Sequence, residues 1–199
     1  MGPKTRNHKF LNLKLDISAM DLYKKYKKQI IPAMKERFKY TNDLAVPKIE
    51  KIVVNIGLNR GITEKDPKYI EMAAKTISEI TGQRPIENLA KKSIAGFKIR
   101  TSNTVGLSTI LRSAKMYDFL EKLINITLPR VRDFRGISLK SIDQKGNLSI
   151  GFKEQIVFPE MDPEKIQRIH GLQVVITTTA KNREEGIELF KLFGIPLRK

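Results

Sequence analysis

The chain has 199 residues with 38 Lys+Arg against 21 Asp+Glu, a formal net charge of +17 and a pI near 10.0. That balance points to a polyanionic partner, while 40% hydrophobic residues suffice for a folded core rather than a disordered basic tail. The absence of Cys excludes disulfides, thiolate metal sites and a Cys nucleophile, and two histidines, His8 and His170, are too few for a His-based zinc site.

Residues 1–17 are basic and weakly patterned and read as an arm. Ser18 with Asp21 resembles a capping box opening a helix whose apolar stripe is Leu22, Tyr26 and Ile30. Pro32 is expected to kink or interrupt it, and Phe38 and Tyr40 close the region. From Lys48 to Gly57 the pattern alternates, with Ile52, Val54 and Ile56 on one face and Lys51, Val53 and Asn55 on the other, which predicts a strand with one core face. Asp66 and Pro67 signal a helix start, and Ile70, Ala73, Ala74, Ile77 and Ile80 recur at helical spacing until Gly82.

Residues 84–90 and 104–112 read as short strands flanking a long basic, Gly-containing loop. A helix is expected from about Ser113, burying Phe119, Leu120, Leu123 and Ile124 and ending before Pro129. The turn Gln144-Lys145-Gly146-Asn147 introduces an alternating strand through Leu148, Ile150 and Phe152. Asp162 and Pro163 predict a short helix stopping at Gly171, with His170 near its terminal carbonyls. Leu172 to Ala180 is a β-branched strand, and Asn182 with Glu185 caps a last helix carrying Ile187, Phe190 and Phe193, ended by Gly194 and Pro196. Together these predict an α+β domain: a mainly antiparallel sheet with helices packed on one face, a ferredoxin- or RRM-like variant. Its other sheet face is free, and such a face is a common RNA platform.

The charge is unevenly placed. Residues 1–40 carry +8, residues 41–83 zero, residues 84–115 +6 and residues 116–199 +3. Solvated faces alone would spread it more evenly, so the two basic stretches favour a polyphosphate partner. No GxxxxGK[ST] or strand-following GxGxxG occurs, and Gly57 with Gly61 reads as a turn pair. Glu184 and Glu185 suit a first helical turn better than paired-carboxylate hydrolysis, and no nucleophile–base pair can be assembled around His170. The chain therefore reads as a non-enzyme without cofactor or metal. No apolar run is long enough to span a membrane, and the N-terminus lacks the apolar segment of a secretory signal.

Two segments carry the binding chemistry. KKSIAGFKIRTSNTVG, Lys91 to Gly106, sets Lys91, Lys92, Lys98 and Arg100 around Ser93, Gly96 and Phe97, with hydroxyls at Thr101, Ser102 and Thr104; these suit phosphate and ribose contacts. Phe97 either stacks on a base or packs back on the core. PRVRDFRG places Arg130, Arg132 and Arg135 around Asp133, a candidate internal ion pair.

KKSIAGFKIR and LPRVRDFRGIS, with VPKIEKIVVNIG, ITGQRP, EQIVFPE, VVITTTA and the ending FGIPLRK, closely resemble the bacterial-type universal large-subunit ribosomal protein five. The resemblance runs from about Tyr23 to Lys199, leaving residues 1–20 as a basic extension to a ribosomal domain at 21–199. It implies binding of 5S rRNA in the central protuberance, through a surface around the sheet to which Lys51, Asn55, Gln83 and Arg112 are assigned. It implies that the loop of Lys91, Lys92, Ser93, Gly96, Phe97, Lys98 and Arg100 reaches P-site tRNA. It implies an intersubunit bridge to a small-subunit head protein, to which, or to rRNA, Arg130, Arg132 and Arg135 are assigned. Other 5S-associated large-subunit proteins are implied neighbours, and the expected location is cytoplasmic and ribosome-bound, with an organellar ribosome left open. The sequence departs from the family where Val-Thr-Leu-Arg becomes Thr109-Ile110-Leu111-Arg112, removing the hydroxyl expected at 110, and where the aromatic-ended turn becomes Lys145-Gly146-Asn147-Leu148. Thr109 is expected to face the opposite side from Ile110.

Overall fold

The structure, a computed structural model, describes residues 22–58, 68–97, 99–166 and 168–198. The arm at 1–17, the Ser18–Asp21 box, Gly61, the Asp66-Pro67 helix start and Lys98 lie outside the described residues.

Helix α1 covers residues 22–38 and buries Leu22, Tyr26, Ile30 and Met34 at four-residue spacing. Pro32 does not interrupt it. A π turn over Tyr26–Ile30, closed by the Ile31 N–H bonding back to the Tyr26 carbonyl, resets the ladder. Pro32 then stands in the first turn of the α segment Ile31–Phe38, where its missing donor would be unpaired anyway. The same device recurs in α3, residues 113–130. A π turn at Leu123–Thr127 carries the helix through Pro129 to Arg130, past the expected stop. The sequence shows both prolines but not the wide turns that absorb them.

The alternating segment forms β1, Ile49–Gly57, followed by α2, Lys68–Thr81, then β2, Ile86–Leu89, and β3, Thr104–Leu111. After α3 come β4, Ile137–Ser138, β5, Leu148–Phe152, β6, Leu172–Thr178, helix α4, Arg183–Phe193, and β7, Leu197–Arg198. Five strands make one sheet in the order β2-β3-β1-β6-β5, every neighbouring pair antiparallel. The two-residue β4 and β7 pair in parallel apart from it, too short to leave a pattern in the sequence. The mixed α+β architecture expected from the sequence is thus observed.

Alternate residues of the long strands (Ile52, Val54, Ile56, Leu107, Leu111, Val174 and Ile176) are almost wholly buried in one core with the helices. Each such side chain contributes roughly 1.5–3 kcal/mol on leaving water. Tyr26 stacks on Phe193 of α4 at 6.0 Å, and its hydroxyl donates to the Pro47 carbonyl at 3.2 Å. Burial, with a smaller push from Tyr23, raises that phenol to about 12, so it remains a donor at physiological pH. Lys122 of α3 donates to the Ile80 carbonyl at 2.6 Å, satisfying an end of α2, and pairs with Glu160 at 2.5 Å.

The β5 hairpin docks on α4 through two glycines. A Cβ on Gly186 would lie 2.5 Å from Gly146 Cα, and Gly146 holds φ +73°, where glycine is favoured. Asn147 organises this turn, its backbone N–H reaching Asp143 Oδ1 at 2.7 Å and its amide Oδ2 at 2.8 Å. Desolvation alone would raise the Asp143 carboxyl, but these bonds outweigh it and hold the group below its usual range.

Two further expectations change. Asp162-Pro163 opens only a single turn, Pro163–Lys165, and the side chain of Gln155 takes backbone groups beyond it: its amide donates to the Arg168 carbonyl at 2.8 Å and its carbonyl accepts the His170 N–H at 2.7 Å. Asn182 makes no side-chain cap at α4; Glu185 instead accepts the Lys181 N–H at 2.8 Å.

His170 is consequently not at a helix end. Its ring packs edge-on to Tyr69, centroids 6.1 Å apart, with neither nitrogen well partnered among the described residues. Burial pushes its pKa below the ordinary 6.5, against a smaller opposing influence from the Arg168 backbone. The unfolded chain thus binds a proton at His170 more readily than the folded one. Stability is then complete above about pH 6.5 and falls as pH drops through the window below it. Comparing urea midpoints at pH 7.5 and 5.0, His170→Phe should lose less stability on acidification than wild type; equal losses would refute this.

Candidate nucleic-acid interface

The sheet face away from the helices is built by the other strand positions. Cross-strand pairing puts Asn55 between Ser108 and Gln173, and pairing of those two with Ile86 and Gly151 extends the row over all five strands. Side chains paired in this way point to the same side. Beside it run Ile110, Val53, Val175 and Ser149, and on the other flank Asn88 and Gly106. Ser108 donates to Asn88 Oδ1 at 3.2 Å, whereas no described residue hydrogen-bonds the Asn55 amide. A Cβ at Gly106 would stand 2.9 Å from the Ile56 carbonyl and 3.8 Å from polar atoms of Asn55 and Asn88, so glycine leaves a notch between the two amides.

Among the described strand residues of the open face Lys51 is the one cation, and Arg112 just past β3 adds a second at the same end. The face is therefore a largely uncharged hydrogen-bonding surface with an apolar row, a composition suited to base edges and ribose more than to phosphates alone. Arg112 follows Leu111, the partner of Ile52, and so stands exposed beside Lys51 at one end of the sheet. Gln83 lies on the turn after α2 and donates to the Ile110 carbonyl at 3.4 Å, beyond the last paired residue of β2. The four residues assigned from the resemblance thus divide into one central amide, Asn55, and a group at one end. Ile110 is 40% exposed on the open face while Thr109 is buried on the core face, as the alternation predicts. Ser108, Asn88 and Gln173 belong to the same surface and were not among the assigned residues. Alternation gives their face, but only the strand order reveals that they flank Asn55.

The basic loop is an ordered extension of the β2–β3 hairpin. Ala90 and Asn103 pair at 2.8 Å, and Ile94 and Ile99 exchange backbone bonds at 2.9 and 3.1 Å around a turn at Ala95–Phe97. Ser93 and Thr101 hydroxyls bond each other at 3.1 Å and Thr104 donates to Glu87 at 2.9 Å, so these hydroxyls serve the loop's own structure. Lys91, Lys92, Gly96 and Arg100 are exposed. Phe97 is 72% exposed and does not pack back on the core.

Arg130, Arg132 and Arg135 are exposed at the end of α3 and beyond. Asp133 between them adopts φ +51° and, among the described residues, forms no ion pair, so the expected internal pairing is absent. Arg132 instead lines a cleft of about 570 Å³ with Phe134, Val157 and the edge of β5.

No described cluster of His, Asp and Glu could hold a metal ion, and no described helix is long and apolar enough to cross a membrane. An open, largely uncharged sheet face flanked by a projecting cationic hairpin defines an α+β protein that offers two exposed contact surfaces of different chemistry.

The family model described as ribosomal protein L5 matches residues 42–100, and the model of the same ribosomal family's C-terminus matches residues 104–197. Relatives called large ribosomal subunit protein uL5 include that of Syntrophomonas wolfei, 51% identical over 89% of this chain and 98% of the relative. That of Dictyoglomus turgidum is 52% identical over 89% and 98%, and that of Desulfotalea psychrophila 49% over 92% and 100%. The chain belongs to the uL5 family and is a structural, non-enzymatic component of the large ribosomal subunit.

Proposed function

We propose that this protein binds 5S rRNA on the open sheet face and anchors it in the central protuberance. The observation that carries the reading is the row Ser108–Asn55–Gln173, uncharged donors and acceptors at the centre of the face away from the helices. Lys51, Arg112 and Gln83 supply the end of this surface, where two cations meet backbone phosphates. The hairpin with Lys91, Lys92, Ser93, Gly96, Phe97, Lys98 and Arg100 reaches P-site tRNA. Arg130, Arg132 and Arg135 face either the small-subunit head protein across an intersubunit bridge or nearby rRNA. Other 5S-associated proteins are neighbours in this assembly. Residues 21–199 act as the ribosomal domain and residues 1–20 as its basic extension.

The test is a titration of the full chain with labelled 5S rRNA and with an unrelated RNA of equal length. Binding to 5S rRNA should be tighter by about 100-fold or more at physiological salt. Equal affinities would replace this reading with a nonspecific nucleic-acid module. In a parallel arm, alanine at Lys91, Lys92, Lys98 and Arg100 should leave 5S affinity within twofold and weaken P-site tRNA retention on reconstituted ribosomes. Loss of 5S binding in that variant would mean that the two surfaces are assigned the wrong way round.

A further inference from the structure

The largest share of the positive charge, on the first 40 residues, has no role in the function proposed above. Part of it lies on α1. Lys24, Lys25, Lys28 and Gln29 form one wall of a groove of about 490 Å³, faced by Glu121, Ile124 and Asn125 of α3 and by Phe193 of α4. No described carboxylate pairs with these three lysines, and no described residue hydrogen-bonds the Gln29 or Asn125 amides. Glu121 is the one acid in the lining.

Charge is segregated along this helix. Its C-terminal half is neutralised, Lys35 pairing with Asp43 and Arg37 with Glu188, each at 2.5 Å. The N-terminal half keeps Lys24, Lys25 and Lys28 together, with Lys27 nearby, 4.7 Å over the Tyr23 ring. Like charges crowded on one turn repel, so an anionic partner there gains from every phosphate it contributes. This surface belongs to the helix layer, since α1 packs on α4.

We infer that the groove between α1 and α3 is a second RNA-docking surface that takes the sugar–phosphate backbone of an A-form duplex. The ammonium groups neutralise phosphates, and the exposed amides of Gln29 and Asn125 donate to phosphate or 2′-hydroxyl oxygens. An acidic peptide matches the charge but would need apolar anchors to bury. The groove's Leu22 and Phe193 are themselves buried, leaving half-buried Ile124. The inference rests on the assignment of 5S rRNA to the sheet only in naming this surface the second one.

The test uses the full chain and a labelled 16-base-pair RNA duplex unrelated to 5S rRNA, titrated against the free protein and against its isolated 5S complex. Both should bind the duplex. Lys24→Ala/Lys25→Ala/Lys28→Ala should weaken duplex binding about tenfold or more and reduce the slope of log K against log salt by about 2–3, at roughly 0.9 per lost phosphate contact. Its 5S affinity should stay within twofold, and Lys24→Arg/Lys25→Arg/Lys28→Arg should restore duplex binding. Unchanged duplex affinity in the alanine variant would overturn the inference. So would equal losses for 5S rRNA and duplex, which would merge the two surfaces, or tighter binding of a polyglutamate peptide than of the duplex. If the chain fails to bind 5S rRNA, the earlier reading falls, while titration of the free protein still decides this one.

Discussion

Asn55→Asp should lower 5S rRNA affinity by about 100-fold with no change in folding stability. The substitution preserves shape but exchanges an amide donor for a carboxylate at the centre of a face whose described cations, Lys51 and Arg112, stand at one end. One negative charge about 6 Å from a phosphate, at an effective dielectric near 20, costs roughly 3 kcal/mol, or two decades in affinity. No described residue hydrogen-bonds the Asn55 amide, so the fold loses no bond. Asn55→Ala, which removes contacts without adding charge, should cost about tenfold. Fluorescence anisotropy with labelled 5S rRNA gives the affinities and thermal melting gives the stability. An Asp variant within twofold of wild type would remove the sheet face as the 5S surface.

The largest stability effect is expected from Gly186→Val. Its Cβ would meet Gly146 Cα at 2.5 Å and the Gly146 carbonyl at 2.7 Å, which are backbone atoms and cannot rotate aside. Relief requires separating α4 from the β5 turn, which also strains the bond from the Thr178 hydroxyl to the Gly146 carbonyl at 2.8 Å. Overpacking of this kind costs at least about 3 kcal/mol, equivalent to a drop of roughly 6–12 °C in Tm for a chain of this size. Gly151→Ala, with nothing within 4 Å of its Cβ, is the matched control and should change stability by less than about 0.5 kcal/mol. A Val variant as stable as the control would show that helix and turn separate freely.

The β1, β6 and α2 segments were legible because their periods, two and near four, are strict and each has one buried face. Pro32 and Pro129 misled because a proline's local effect depends on the helical register before it, and here a widened turn supplies that register. His170 misled for a related reason: its backbone N–H goes to the side chain of Gln155, fifteen residues away in sequence. The candidate interface was legible in part. Asn55 and Lys51 followed from alternation and resemblance, but Ser108 and Gln173 join them only through cross-strand pairing, a long-range fact that no single segment encodes. The loop hydroxyls looked like free donors, and only the folded hairpin shows that Ser93 and Thr101 bond each other.

The low charge of the open sheet face bears on kinetics. A surface with two cations at one end exerts less pull at a distance than the lysines on α1 and in the hairpin, whose field extends roughly 8–10 Å into physiological salt. On the proposed assignment, encounter with RNA is steered by the net charge of the whole chain, +17, of which any one cluster of lysines is a small share, and not by the final contact. Added salt should slow association steeply, while the residence time on the sheet, set by short-range amide and hydroxyl contacts, changes far less. If the sheet is the 5S surface proposed above, selectivity resides in departure: many RNAs are drawn in, and those that do not satisfy the Ser108–Asn55–Gln173 row leave quickly.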